Sequence, residues 1–142
     1  MAENSMAIQK PARAGSPHNF QELVSEYLVR HRSVLDVMSK FQEATARVNR
    51  ALVKSVTACG CLQVNAQRQT IPLDISLHEL KKHMDTHLTG APCEQCREML
   101  EAELGNNLFY LVALCDLLQL DFAEIMGKEE GVVSTLGIYH FS

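Results

Sequence analysis

Four of the five cysteines in this chain lie in two close pairs, a spacing that could bind a metal ion. The pairs are Cys59-Gly60-Cys61 and Cys93-Glu94-Gln95-Cys96, and the 31 residues 62–92 separate them. Zinc takes four thiolate or imidazole ligands in a tetrahedral arrangement, and two neighbouring ligands on each of two segments can supply them. The second pair is the stronger half-site, because it begins a predicted helix whose N-terminus stabilises a thiolate.

Histidines between the two pairs offer further ligands. His87 is close in sequence to Cys93 and could replace one cysteine of the first pair, in which a single intervening residue strains a shared metal. His83 and His87 are four residues apart and would share one face of a helix. The candidate ligands of a structural zinc ion are therefore Cys59, Cys61, His87, Cys93 and Cys96.

Two other states of the cysteines remain open. They could be reduced, partly buried thiols without a metal, or Cys93 and Cys96 could form a redox dithiol. The βαβ context of a thioredoxin-like motif is missing, which counts against the dithiol. Cys115 lies within an apolar helical stripe, and we expect it in the core as a small hydrophobic residue.

The composition is that of an ordinary globular protein. The 142 residues predict one domain, and the chain is 46% hydrophobic and 21% charged. A net charge of −4, no tryptophan and 6% aromatic residues argue against a nucleic-acid partner. No apolar stretch resembles a membrane span or an export signal, so we expect a cytoplasmic protein without a membrane partner.

Apolar residues at helical spacing predict two long helices that would position the cysteine pairs. One series runs from Val34 to Val56 and ends at Gly60, and the other runs from Leu100 to Leu118. Gly105 lies inside the second helix, which indicates that something approaches it closely. A shorter helix is predicted from Phe20, with a joint to the first long helix at residues 30–33.

The remaining segments predict shorter elements. Residues 62–66 alternate and could form a strand, although no partner is evident. Ser76 and Glu79 fit a capping box that begins a helix running to about Leu88. Asp121 is expected to cap a last helix through Met126, and residues 135–142 are expected to dock as a strand or an arm. We therefore predict an all-α fold, with a flexible leader at 1–18 and a single domain at 19–142 that carries an irregular Cys/His-containing insertion at 59–96.

The second long helix resembles a known family. Residues 103–115 read Glu-Leu-Gly-Asn-Asn-Leu-Phe-Tyr-Leu-Val-Ala-Leu-Cys, and residues 118–122 read Leu-Gln-Leu-Asp-Phe. This resembles the MazG family of all-α nucleoside triphosphate pyrophosphohydrolases, in which a helix reads roughly Glu-x-Gly-Asp-x-x-Phe-Tyr-x-x-x-Leu before a Leu-x-Ile-Asp-Leu turn. The resemblance extends more loosely over residues 20–128 and implies a MazG-like helical bundle.

The resemblance also implies a catalytic site. In the family, carboxylates on facing helices bind Mg²⁺, which holds the triphosphate and activates the water that releases pyrophosphate. Glu43 and Glu103 match two of the four carboxylates, whereas Ala46 and Asn106 stand where the other two are expected. The implied catalytic residues are Glu43, Glu103 and Asn106, and their incomplete carboxylate set would weaken Mg²⁺ binding.

Three basic residues follow Glu43 on the same helix. Arg47, Arg50 and Lys54 could contact the phosphate oxygens of a bound nucleotide. They could equally be exposed neighbours, with Glu43 and Arg47 weakly attractive and Arg50 and Lys54 repulsive.

Two main functions follow from these observations. The first is a MazG-like nucleoside triphosphate pyrophosphohydrolase that uses Mg²⁺ and contains a structural Zn²⁺ ion. The second is a non-catalytic, zinc-stapled helical protein that acts in interaction or regulation, and a thiol redox sensor is a third. We also expect a homo-oligomer, a dimer or larger, because the apolar stripes exceed the needs of one core and because the family buries its helices between subunits.

Overall fold

A computed structural model describes residues 15–140 of the chain. In that range the chain is mainly helical, with one small antiparallel sheet. The elements are α1 (Pro17–Tyr27), α2 (Val34–Lys54), β1 (Leu62–Val64), α3 (Leu77–His83), β2 (Leu88–Gly90), α4 (Glu94–Leu117) and α5 (Phe122–Leu136). A π-helical turn, Ser55–Cys59, follows α2, and a 3₁₀ turn, Gly137–Tyr139, follows α5. Of the helices described, none is both long and apolar enough to cross a membrane.

The two long helices, α2 and α4, form the centre of the fold and confirm the two predicted apolar series. They run antiparallel, as two contacts show. Ser55, directly after the end of α2, lies near Cys96 at the start of α4, whereas the Thr45 hydroxyl in the middle of α2 accepts a hydrogen bond from Asn107 in the middle of α4. Gly60 ends the first series in the left-handed conformation, with φ of +79°, as a helix stop requires.

The core is formed where α1, α2 and α4 meet. Its buried residues are Val24, Leu28, Val37, Val112 and Ala113. Phe20, Phe109, Tyr110, Leu114, Leu117 and Phe122 pack against them and are partly buried. Cys115 is also buried, which confirms its expected place among the core residues. The helical class is thus confirmed, whereas the MazG-like bundle stays a prediction.

The start of α1 differs from its prediction. The helix begins at Pro17 rather than at Phe20, because the Ser16 hydroxyl accepts a hydrogen bond from the Asn19 N–H at 3.1 Å and proline fits the first helical position. The last two residues of the predicted leader, 17–18, are therefore helical. Residues 1–14 of the leader lie outside the described range.

The C-terminal helix is longer than predicted. Asp121 caps it as expected, accepting from the Glu124 N–H at 3.2 Å, but α5 continues past Met126 to Leu136. The expected strand or arm is wrong for the described part of 135–142, which completes α5 and forms the 3₁₀ turn; residues 141–142 lie outside the described range. Gln21 ties α5 to α1 by donating to the Leu120 carbonyl and accepting from the Phe122 N–H, both at 2.8 Å.

The segment before α4 contains a strand that the sequence did not reveal. The Ser76–Glu79 capping box is present, but α3 ends at His83 instead of near Leu88. His87 adopts a φ of +56°, which is incompatible with a continuing helix. The chain then forms β2, which pairs antiparallel with β1 so that Leu62 lies opposite Gly90 and Val64 opposite Leu88. The strand predicted at 62–66 is confirmed over residues 62–64.

Gly90 has no room for a side chain. Its φ is +88°, and a Cβ atom there would lie 2.5 Å from the Cys61 carbonyl oxygen. Glycine is therefore required for the sheet to bring residue 90 against residue 61. Gly105 behaves differently from its prediction, since a Cβ atom there would meet no atom within 4 Å in the described structure.

Replacing Gly90 should therefore destabilise the protein, whereas replacing an exposed glycine with open space around it should not. We expect Gly90→Ala to lower the free energy of unfolding by about 1–3 kcal/mol, through positive-φ strain and contact with the Cys61 carbonyl. Gly131→Ala is the control, because position 131 is exposed in α5 with open space around it, and it should be neutral or stabilising by up to about 1 kcal/mol. Urea unfolding followed by circular dichroism measures both; equal effects would contradict the role given to Gly90.

Candidate metal centre

The structure brings four cysteine sulfurs together. The Sγ atoms of Cys59, Cys61, Cys93 and Cys96 all lie within 4.8 Å of one another. The Sγ atoms of Cys59 and Cys93 are 3.8 Å apart. A tetrahedral zinc site with Zn–S bonds of about 2.3 Å separates its sulfurs by about 3.8 Å, so this cluster could hold a metal such as zinc.

Each pair of cysteines is positioned by the end of a secondary-structure element. Cys59 is the last residue of the π-helical turn after α2, and Cys61 directly precedes β1. Cys93 is the N-cap of α4, and Cys96 lies in the first turn of that helix. Pairing of β1 with β2 brings the residues that flank the sheet together, so the first pair meets the second.

A buried serine supports the first cysteine pair. Ser55 is 0% exposed, and its carbonyl accepts from the Gly60 N–H at 3.0 Å and from the Cys61 thiol at 3.7 Å. Its hydroxyl lies within hydrogen-bonding distance of the Ala51 carbonyl, at 3.0 Å, and of Cys96, so its one proton can be donated to either acceptor. Ser55 therefore contacts both halves of the cluster. The wide π turn that begins at this residue carries the chain from α2 to the first sulfur.

The pKa values of the thiols reflect their crowding. The Cys96 backbone N–H, assisted by the thiols of Cys96 and Cys59, lowers the pKa of Cys93 to about 7. The Ser55 hydroxyl lowers the pKa of Cys96, but burial and the other three thiols outweigh it and raise that pKa to about 12.

Cys59 shows the same competition between donors and neighbouring sulfurs. The Cys61 backbone N–H and the Cys96 thiol lower its pKa, but the thiols of Cys93 and Cys61, together with burial, raise it overall. Four thiolates this close repel one another unless a cation lies between them. A bound Zn²⁺ ion supplies that charge and deprotonates its coordinating thiols.

The predicted histidine ligand lies outside this cluster. The group of four contains sulfur ligands only, and His87 is not among them. The backbone N–H of His87 donates to the Asp85 carboxylate at 3.0 Å, and its carbonyl accepts from the Asn65 N–H at 2.9 Å. These bonds hold the turn between α3 and β2. His83 is the exposed last residue of α3.

A second group of predicted residues meets in a small polar cleft between α2 and α4. The cleft has a volume of about 100 Å³ and contains Glu43 and Asn106 from the implied catalytic set and Arg47 from the implied binding set. Its other lining residues are Lys40, Ala44 and Tyr110. The Glu43 carboxylate accepts from Lys40 at 3.1 Å and lies 3.9 Å from Arg47.

The other implied site residues do not line this cleft. Glu103 is half-buried on α4, about one turn before Asn106, whereas Arg50 and Lys54 are exposed further along α2. Among the residues that the structure describes, the only close group of three or more potential metal ligands is the cysteine cluster. Residues 15–140 therefore contain no group of three or more acidic side chains close enough together to bind one Mg²⁺ ion.

Comparisons with family models, with curated proteins and with solved structures found no match to this chain. The resemblance to the MazG family therefore stays a prediction that rests on the residues quoted above.

The buried serine provides a test of the metal centre. We expect Ser55→Ala to weaken zinc binding by about 10–100-fold, the usual effect of losing an outer-shell partner. Ser39→Ala is the matched control, since the Ser39 hydroxyl makes the same bond to a carbonyl four residues earlier, at 3.0 Å, on the exposed surface of α2. Competition with a chromophoric chelator measures both affinities. If the two variants bind zinc equally well, Ser55 does not support the site.

Proposed function

We propose that this chain is a zinc-stapled helical protein with a MazG-like fold, in which the metal has a structural role. The observation that carries the proposal is the meeting of four cysteine sulfurs from the end of α2 and the start of α4. Four protein ligands close the coordination shell of zinc. A catalytic zinc site keeps one position open for water, so a closed shell favours a structural ion.

The segment between the cysteine pairs explains why a staple is needed. Its helix α3 has no buried residue, and its two strands are three residues long. Leu62 is the buried hydrophobic residue that this segment contributes. So little apolar burial cannot offset the conformational entropy of ordering residues 62–92. The free energy of zinc binding becomes folding free energy for such a segment.

We further propose that the protein acts in interaction or regulation rather than in catalysis. Glu43 is already paired with Lys40 and Arg47. Ala46 stands where its partner carboxylate is expected, and the neutral Asn106 stands where the partner of Glu103 is expected. An amide oxygen contributes no negative charge to a metal site, and Mg²⁺ is held mainly through carboxylates and substrate phosphates. The residues of the cleft therefore lack the charge that a Mg²⁺-dependent hydrolase needs.

A second candidate function is nucleoside triphosphate pyrophosphohydrolysis, yielding the monophosphate and pyrophosphate. The observation in its favour is that Glu43 and Asn106, which occupy two positions of the resemblance on different helices, line one cleft with two cationic side chains. In this candidate, Lys40 and Arg47 contact phosphate oxygens, and Glu43 and Asn106 bind Mg²⁺. Glu103, which does not line the cleft, would have to turn towards the ion from one helical turn earlier on α4. The cost is the loss of the two ion pairs that Glu43 makes.

Zinc content tests the principal proposal. We expect one zinc ion per chain after purification with zinc present, and we expect Cys96→Ser to lose the ion and to lower the melting temperature. The control is Cys115→Ala, because Cys115 is buried in the helical core and lies outside the cluster. It should keep its zinc even if its stability falls. Less than about half an equivalent of zinc in the unmodified protein would overturn the proposal.

Pyrophosphate release separates the two candidates. We expect no release from a panel of ribonucleoside and deoxyribonucleoside triphosphates with Mg²⁺ or Mn²⁺ at high protein concentration. Release that disappears in Glu43→Gln but persists in Glu124→Gln would instead establish the hydrolase. Glu124 is the matched control, because it forms an exposed ion pair with Lys128 at 2.9 Å, away from the cleft.

A further inference from the structure

The four cysteines of the cluster differ in their exposure and in their partners. Cys59 is exposed, whereas Cys96 is only 4% exposed. Cys61 and Cys93 are partly buried. The Cys61 thiol donates to the Ser55 carbonyl at 3.7 Å, and the Ser55 hydroxyl lies within hydrogen-bonding distance of Cys96. One sulfur of each pair is therefore held on the buried serine.

The other sulfur of each pair has its closest partner in the opposite pair. The Sγ atoms of Cys59 and Cys93 are 3.8 Å apart, and in the described part of the chain neither thiol forms a hydrogen bond with Ser55. A disulfide bond is about 2.05 Å long, so these two sulfurs would have to approach by roughly 1.8 Å to form one. Rotation of the two side chains can supply most of that movement.

Both of these cysteines lie where a helical element ends or begins. Cys59 is the last residue of the π turn, and Gly60 after it has open space around its Cα atom. Cys93 is the N-cap of α4 and has an extended backbone. A bond between the two sulfurs would therefore join the end of the π turn to the start of α4 without displacing a residue of the helical core.

Exposure decides which sulfur meets an oxidant first. In our proposed zinc centre all four cysteines are thiolates, and the thiolate is the form that reacts with peroxides. A hydroperoxide in solution reaches the exposed Cys59 directly, whereas burial shields Cys96. The Cys93 sulfur is then in place to react with the oxidised Cys59.

We propose that Cys59 and Cys93 form an oxidation site, at which a hydroperoxide converts the zinc centre into a zinc-free form linked by a disulfide bond. This inference deepens the proposed function and rests on it, since it requires the zinc staple. It gives the staple a regulatory use, because an oxidant then controls whether the metal stays bound.

The reaction takes place in two steps. The Cys59 thiolate attacks one peroxide oxygen and breaks the O–O bond, which leaves a sulfenic acid on Cys59; the second oxygen leaves and takes up a proton. The Cys93 thiolate then attacks the Cys59 sulfur, an S–S bond forms, and the sulfenic oxygen takes up a proton and leaves as water. The two sulfurs lose two electrons, and the peroxide gains them.

Loss of two ligands releases the metal. Cys61 and Cys96 remain as thiolates, and two sulfurs do not complete the four-coordinate shell of a structural zinc ion. The new bond nevertheless links residues 34 positions apart, at the same junction that the metal closed. Oxidation thus replaces a metal link between the ends of α2 and α4 by a covalent one.

Hydrogen peroxide added to the zinc-loaded, full-length protein tests the proposal. A chromophoric chelator should detect one zinc ion released per chain, and thiol titration of the denatured product should show that two of the five thiols are lost. Cleavage after Glu94 separates Cys93 from Cys96, and peptide fragmentation at Gly60 separates Cys59 from Cys61. Mass spectrometry should then find a disulfide between Cys59 and Cys93.

Two controls separate this reaction from simple loss of metal. Protein stripped of zinc by a chelator while its thiols stay reduced should melt at a lower temperature than the peroxide-treated protein, because only the latter has a covalent link. Treatment with dithiothreitol and zinc should restore full zinc content. Cys115→Ala is the matched variant and should release zinc and form the same disulfide, because Cys115 is buried in the core outside the cluster.

The outcomes that contradict the inference are distinct from those that contradict the staple. A purified chain that holds no zinc would overturn both. If zinc is bound but stays bound after excess peroxide, the oxidation site is wrong and the staple stands. A disulfide that contains Cys61 or Cys96 would likewise overturn the assignment to Cys59 and Cys93 alone.

Discussion

The arrangement of this protein depends on four cysteine sulfurs that meet where α2 ends and α4 begins. Within 4.8 Å of one another, they join the π turn after α2, the edge of the small sheet and the N-terminus of α4. Since the two long helices are antiparallel, this junction closes one end of the pair, and the core around Val37 and Val112 closes the other. The weakly buried segment between the cysteine pairs has few other contacts to hold it. With our proposed zinc ion in place, metal binding and the folding of this segment are one event.

The α2–α4 pair presents two different surfaces beyond this junction. One carries the polar cleft, in which Glu43 is neutralised by Lys40 and Arg47. The other exposes large apolar side chains of both helices, among them Met38 and Leu104. Our proposal of a role in interaction rather than in hydrolysis rests on the four-cysteine cluster and on a cleft short of carboxylates. The ancestry suggested by the resemblance to the MazG family does not by itself decide the activity, because one fold supports many functions.

The sequence predicted much of this structure where the signals are local. Two long helices follow from uninterrupted apolar periodicity, and the stop at Gly60, the capping box at Ser76 and the cap at Asp121 follow from side-chain chemistry. Zinc chemistry allowed the two cysteine pairs to join, but it left His87 as a fifth candidate ligand, because spacing does not show which side chains converge in the folded chain. Strand β2 could not be predicted, because three residues carry no periodicity and the paired residues lie 24 to 28 positions apart, from Val64–Leu88 to Leu62–Gly90. The left-handed His87 and the role of Ser55 likewise depend on contacts made only in the folded chain. The length of α5 was underestimated because two glycines interrupt its apolar series.

X-ray absorption at the zinc edge of the purified, zinc-loaded protein tests the central claim most directly, because it counts the atoms bound to the metal. A staple formed by Cys59, Cys61, Cys93 and Cys96 predicts four sulfur neighbours at about 2.3 Å and no nitrogen. A shell that contains an imidazole nitrogen at about 2.0 Å, or fewer than four sulfurs, would contradict the four-cysteine centre.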